Sequence, residues 1–135
     1  MSGILDFSED LATVEAPNPL PIGQYPGEII AAERKTSNTS GNTYAAIQFR
    51  ISADNYPADF TDGDPDGMVL SYNRLLMEDT PQARWRWRKF LEAVGGRLGR
   101  QVDLSDLLGL TAMLDIGHDK YEGENRAQIT RVVAP

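Results

Sequence analysis

The sequence predicts a mainly β protein, a five-stranded barrel with one helix between strands 3 and 4 and a flexible N-terminal arm. Three observations carry this. The stretch Gln24–Arg50 reads strand, polar turn, strand, and it organises the chain. Apolar residues alternate with period two in further stretches on the C-terminal side. A single segment at helical spacing interrupts them after the third strand.

Residues 1–21 form the expected arm, and one domain fills residues 22–135. In the arm, acids and serines surround Ile4-Leu5-Asp6-Phe7. Asn18-Pro19-Leu20-Pro21 then blocks helix and central strand alike. In the first strand Tyr25, Gly27, Ile29 and Ala31 share one parity, which is assigned to the core. In the second, Ala45, Ile47, Phe49 and Ile51 point inward, and Tyr44, Gln48 and Arg50 point outward. A ring, an amide and a guanidinium on one outward face suit a surface that binds something. Between the two strands, Ser, Thr and Asn residues lead into Gly41-Asn42, where positive φ is tolerated.

The acidic Asp54–Gly67 stretch reads as a solvated loop; its DGDPDG run lacks the spacing and closing Glu of a calcium loop. Met68–Leu76 is the third strand. Simple alternation sets Met68, Leu70, Tyr72 and Arg74 against Val69, Ser71, Asn73 and Leu75, and leaves open which face is core. The helix follows, with Asp79 or Thr80 as cap, Pro81 in its first turn and Gly95-Gly96 at its end. Trp87, Phe90, Leu91 and Val94 form its apolar stripe, and Trp85 points nearly opposite, beside Arg88 and Lys89. Leu110–His118 and Ala127–Val133 are the last two strands, joined through Lys120–Asn125. In the fifth, Ile129 and Val133 do not share parity with Val132, so its faces stay unassigned.

The 135 residues favour one domain, and the chain has no cysteine and one histidine. Disulfides and thiolate metal sites are therefore excluded, and little remains for a histidine-based metal site or a Ser-His-Asp triad. No metal or other cofactor is expected. No apolar run is long enough to span a bilayer, so no membrane partner and a cytosolic setting are expected. The net charge of −7 argues against nucleic acid, but its distribution does not. Residues 34–50 carry three bases and no acids, and residues 84–100 carry six bases and one acid. Two basic islands thus sit on an acidic chain, one of them at the central hairpin.

Three strands, a helix and two strands is the order of the oligonucleotide/oligosaccharide-binding barrel, the OB-fold. The chain also resembles the small single-stranded DNA-binding proteins of tailed bacteriophages, long catalogued as proteins of unknown function. The resemblance lies in Asp6-Phe7-Ser8, in Leu20-Pro21-Ile22-Gly23-Gln24-Tyr25-Pro26, and in Lys35-Thr36-Ser37 with Gly41-Asn42. It continues in Ala46-Ile47-Gln48-Phe49, Phe90-Leu91-Glu92-Ala93-Val94-Gly95, Leu108-Gly109 and Ile129–Pro135. It implies an OB-fold that coats single strands during phage replication or recombination in the host cytoplasm. The implied partners are single-stranded DNA and phage replication or recombination proteins; a homo-oligomer is left open, because the sequence does not give the oligomeric state. The acidic C-terminal tail of many single-strand binders has no counterpart in Arg131-Val132-Val133-Ala134-Pro135, so recruitment through such a tail is not expected.

Single-strand binding needs cations along the phosphates and aromatic faces for the bases. The candidates are Arg34, Lys35, Tyr44, Gln48, Arg50, Tyr72, Arg74, Trp85 and Arg88. Five of them have a plainer reading: a solvated strand end for Arg34 and Lys35, cross-strand packing for Tyr44, core for Tyr72, and packing under the acidic loop or a subunit contact for Trp85. Trp87 belongs to the core stripe. No enzyme is expected, because the chain has no phosphate-binding glycine loop, no cysteine and no placed pair of strand-end carboxylates. The alternative is a non-enzymatic protein-interaction or virion structural module built on the same barrel.

Overall fold

The computed structural model describes residues 3–135, so the first two residues of the expected arm lie outside the described residues. Five strands and one helix follow in the expected order. They are β1 (Gly23–Thr36), β2 (Thr43–Ile51), β3 (Met68–Leu76), α1 (Pro81–Val94), β4 (Thr111–Tyr121) and β5 (Glu124–Val133). Short 3-10 turns occur at Leu11–Thr13, Ala53–Asn55 and Leu104–Leu107. The strands make one antiparallel sheet in the order β3-β2-β1-β4-β5.

Three bulges decide which residues face inward. Ile29 pairs with Phe49 but Ala31 pairs with Gln48, so Ile30 is an extra residue in β1. The inward parity therefore passes from Ile29 to Ala32, and Ala31, expected in the core, lies on the outer face. In β3, Tyr72 pairs with Ile47 and Leu75 with Ala45, leaving one extra residue between them. Leu75 is consequently buried on the same side as Leu70 and Tyr72, where simple alternation put it opposite. In β5, Thr130 is the extra residue between Ile129 and Arg131. That places both Ile129 and Val132 on the core, and resolves the unassigned last strand. A bulge bends its strand and increases local twist.

The sheet coils so that its end strands approach, but it is not closed into a barrel. β3 and β5 run in the same direction and share no ladder. Each carries a bulge, and a side-chain hydrogen bond joins the bulged part of β3 to the bulged residue of β5.

Phe49, Ile29, Ile47, Ile51, Leu75 and Leu114 fill the concave side, and α1 lies across it. Phe90 is the helix's main contact. It stacks on Tyr72 at 5.7 Å and meets Phe49 and Trp87 edge-on at 6.4 and 6.2 Å. Thr80 caps α1 by accepting from the Ala83 N–H at 3.2 Å, and Gly95 ends it in the left-handed conformation, φ 74°. Trp87, half-buried on the stripe, donates its indole N–H to the Leu76 carbonyl at 2.9 Å. Leu20, between the two prolines, is fully buried. The Leu20 carbonyl hydrogen-bonds to the His118 ring at 2.7 Å, and the Tyr25 hydroxyl donates to the Pro21 carbonyl at 2.8 Å.

Candidate nucleic-acid interface

The outer face of β1, β2 and β3 carries a shallow groove of about 180 Å³. Its floor is made of small side chains, Ala31, Ala46 and Ser71, one from each strand. Its rim is Tyr44, Lys35, Gln48, Asn73 and Glu33. Register explains the grouping. Lys35 pairs with Tyr44 across β1 and β2, and Gln48 pairs with Ser71 across β2 and β3. The bulge at Ile30 brings Ala31, Glu33 and Lys35 to the outer face.

Of the nine candidate residues, three meet here: Lys35, Tyr44 and Gln48. Arg50 shares their strand face, but its guanidinium donates to the Asp66 carbonyl and is held against the acidic loop. Arg34 pairs with buried Ala45 and so lies on the other side of β1 from Lys35. Tyr72 belongs to the core side; burial pushes its hydroxyl pKa up, with Arg74 and Arg86 opposing. Arg74 sits at the β3–β5 approach, its guanidinium 6.0 Å from the Tyr72 ring centre. Trp85 and Arg88 are on the exposed side of α1, with Arg88 paired to Glu92 at 3.1 Å.

Sequence reading missed the groove floor. Alanines and a serine announce nothing by themselves, and only the bulge places Ala31 beside Ala46. It also missed a cluster at the β4–β5 hairpin. Arg126 lies 4.4 Å from the exposed Tyr121 ring and pairs with Asp119 at 3.2 Å. Hydrogen bonding to Arg126 holds the Asp119 carboxyl below the usual range. Among the described residues, no group of three or more His, Cys, Asp or Glu side chains could hold a metal ion. Among the described residues, no helix is long and apolar enough to cross a membrane.

Residues 7–133 match the model of a family described as a protein of unknown function, DUF669. The chain belongs to the DUF669 family. No curated protein matches it. The match takes in all five strands and α1, and also the arm from Phe7 onward. The groove, the helix and most of the arm are thus parts of one DUF669 unit rather than additions to it.

Proposed function

We propose that this DUF669 protein binds single-stranded DNA, without base-specific readout and without chemistry, through the groove on the outer face of β1–β3. The observation that carries the reading is the composition of that groove. A floor of small side chains beside one exposed-side tyrosine leaves room for a flat ring to lie against Tyr44. Lys35 on the facing strand is within the same groove to meet a phosphate. A stacked base contributes roughly 1–3 kcal/mol, and every base has a face to stack. Gln48, Asn73 and Glu33 offer hydrogen bonds to base edges of more than one kind. The curved sheet is read as an open variant of the OB barrel, with the strand order of that fold and a side-chain link in place of its last ladder. Coating and protection of single strands during phage DNA replication or recombination is the role proposed for it.

The test is titration of a fluorescent ~30-nucleotide strand, long enough for a site of about 4–16 nucleotides per OB-fold, against a duplex of the same sequence. The single strand binds preferentially, and Ala46→Leu, which fills the groove floor from a solvent-facing position, abolishes binding while the melting temperature holds. Equal affinity for strand and duplex, or unchanged binding by Ala46→Leu, overturns the reading in favour of a protein-binding module.

A further inference from the structure

The exposed side of α1 is not an ordinary solvated face. Trp85 points directly away from the buried Phe90, Ala83 and Val94, and 59% of it is exposed. Lys89 lies 5.3 Å from its ring centre, and Arg86 and Arg88 are on neighbouring positions of the helix. Arg84 and Arg88 are paired to Asp79 and Glu92; among the described residues Arg86 and Lys89 enter no ion pair. The result is an apolar ring with the unpaired Lys89 ammonium over its face, and a second unpaired cation, Arg86, on the adjoining side of the helix toward Tyr72. Tryptophan and arginine are the side chains most enriched among interface anchors.

The arm is its complement. Residues 3–17 carry Asp6, Glu9, Asp10 and Glu15 and no base. Between these acids Phe7 and Leu11 are 57% and 59% exposed. Asp10 caps the Leu11–Thr13 turn through the Ala12 N–H at 3.0 Å, so Leu11 is presented on a local structure rather than on a free coil. The root of the arm is fixed by buried Leu20 and by the Asn18 N–H, which donates to Asp62 at 2.7 Å. From Leu20 to Phe7 the chain spans up to about 45 Å, against a radius of gyration near 13 Å for a domain of this size. Within one chain both partners are exposed, and the reach is ample for a neighbour. The DUF669 match includes both Phe7 and Trp85.

We propose that the arm of one copy docks on the helix of a second copy, with Phe7 and Leu11 against Trp85, and Asp6 and Glu9 facing Arg86 and Lys89. Each copy offers one arm and one helix, so two copies can exchange arms as a closed dimer, and the contact forms a ring or a line where the rotation between copies does not close at two. It needs no nucleic acid and stands apart from the groove on β1–β3.

The test is sedimentation velocity of the full chain over a concentration series without DNA. Wild type associates reversibly. Phe7→Ala with Leu11→Ala, and Trp85→Ala, each weaken association by about tenfold or more, the scale of a lost interface anchor. Asp6→Lys with Glu9→Lys in one chain, and Arg86→Glu with Lys89→Glu in another, each abolish self-association, and a mixture of the two chains restores it. All these residues are exposed, and a melting curve for each variant confirms the fold. A wild type that stays monomeric overturns the proposal, as does a Trp85→Ala chain that associates normally. If Trp85→Ala associates normally but loses oligonucleotide, the helix is a nucleic-acid surface. If Phe7→Ala with Leu11→Ala alters tryptophan fluorescence in the monomer, the arm covers its own helix; either result refutes docking between copies.

Discussion

Arg74 reaches from β3 and donates through Nη1 to the backbone carbonyl of Thr130 in β5, at 3.1 Å. Thr130 is the bulged residue of β5, and its hydroxyl donates in turn to the Asp115 carbonyl of β4 at 3.1 Å. The two end strands of the sheet are thus tied by a side chain where a barrel would have a ladder. Arg74→Ala is expected to lower stability by about 1 kcal/mol, because the hydrogen bond is charge-assisted but exposed. Urea unfolding measures the loss, and faster amide exchange near Thr130 localises it. Oligonucleotide affinity stays close to wild type, since Arg74 is outside the groove.

Tyr44 and Trp85 separate two surfaces. Tyr44→Ala weakens single-strand binding by roughly 1–3 kcal/mol, the range for one lost stack. Trp85→Ala costs clearly less in the same titration. Loss with Trp85→Ala and none with Tyr44→Ala would move the binding surface from the sheet to the helix.

Salt dependence follows from the cations on the groove face. Lys35 lies in the groove, and Arg50 shares the strand face but is engaged by Asp66. About one to two phosphates neutralised gives a log–log slope of roughly −0.7 to −1.4. Titration at several salt concentrations measures it; a slope of zero with binding retained removes phosphate from the site.

Gly27 tests the core where β1 pairs with β4. A Cβ built there comes 2.5 Å from Leu114 Cδ1, 3.0 Å from its Cγ and 3.5 Å from Phe49 Cδ1. Gly27→Ala therefore overpacks the centre of the sheet and is expected to destabilise by about 1–3 kcal/mol, read as a shift in the denaturation midpoint.

Asp115 gives a pH dependence of known sign. Hydrogen bonds from Gln24 at 2.8 Å and Arg131 at 2.9 Å hold its carboxyl below the usual range. A depressed folded-state pKa stabilises the fold above the unfolded value of about 3.9 and ceases to do so as pH falls through the folded value. Asp115→Asn is expected to melt below wild type at neutral pH, with the gap closing in acid. A gap that is constant across pH would assign the effect to something other than the charge.

The element order, the helix and its glycine stop were legible because each rests on local periodicity and cap chemistry. Thr80, Pro81 and Gly95 stand where those rules place them. What was not legible depended on pairing between strands. Ala31, Leu75 and Val132 all lie after an extra residue that only a partner strand reveals. Leu20 was hidden for another reason: flanking prolines mark it as a chain breaker's neighbour, and its burial comes from packing at long range. The groove residues missed by sequence reading, Ala31, Ala46 and Ser71, matter for what they lack, and an absence of bulk carries no sequence signal.

The bulges at Ile30, between Tyr72 and Leu75, and at Thr130 have a bearing on how the length of this chain can change. Each is one surplus residue that the sheet has absorbed without turning any other side chain over. Excising Ile30 would leave Ile29 and Ala32 inward and Ala31 outward, as they are now. Such a deletion would spare the core and flatten the strand, drawing the far edges apart. Three residues of surplus length thus add bend to a coil that strand twist alone already begins, and single-residue gains and losses there alter curvature without altering the core.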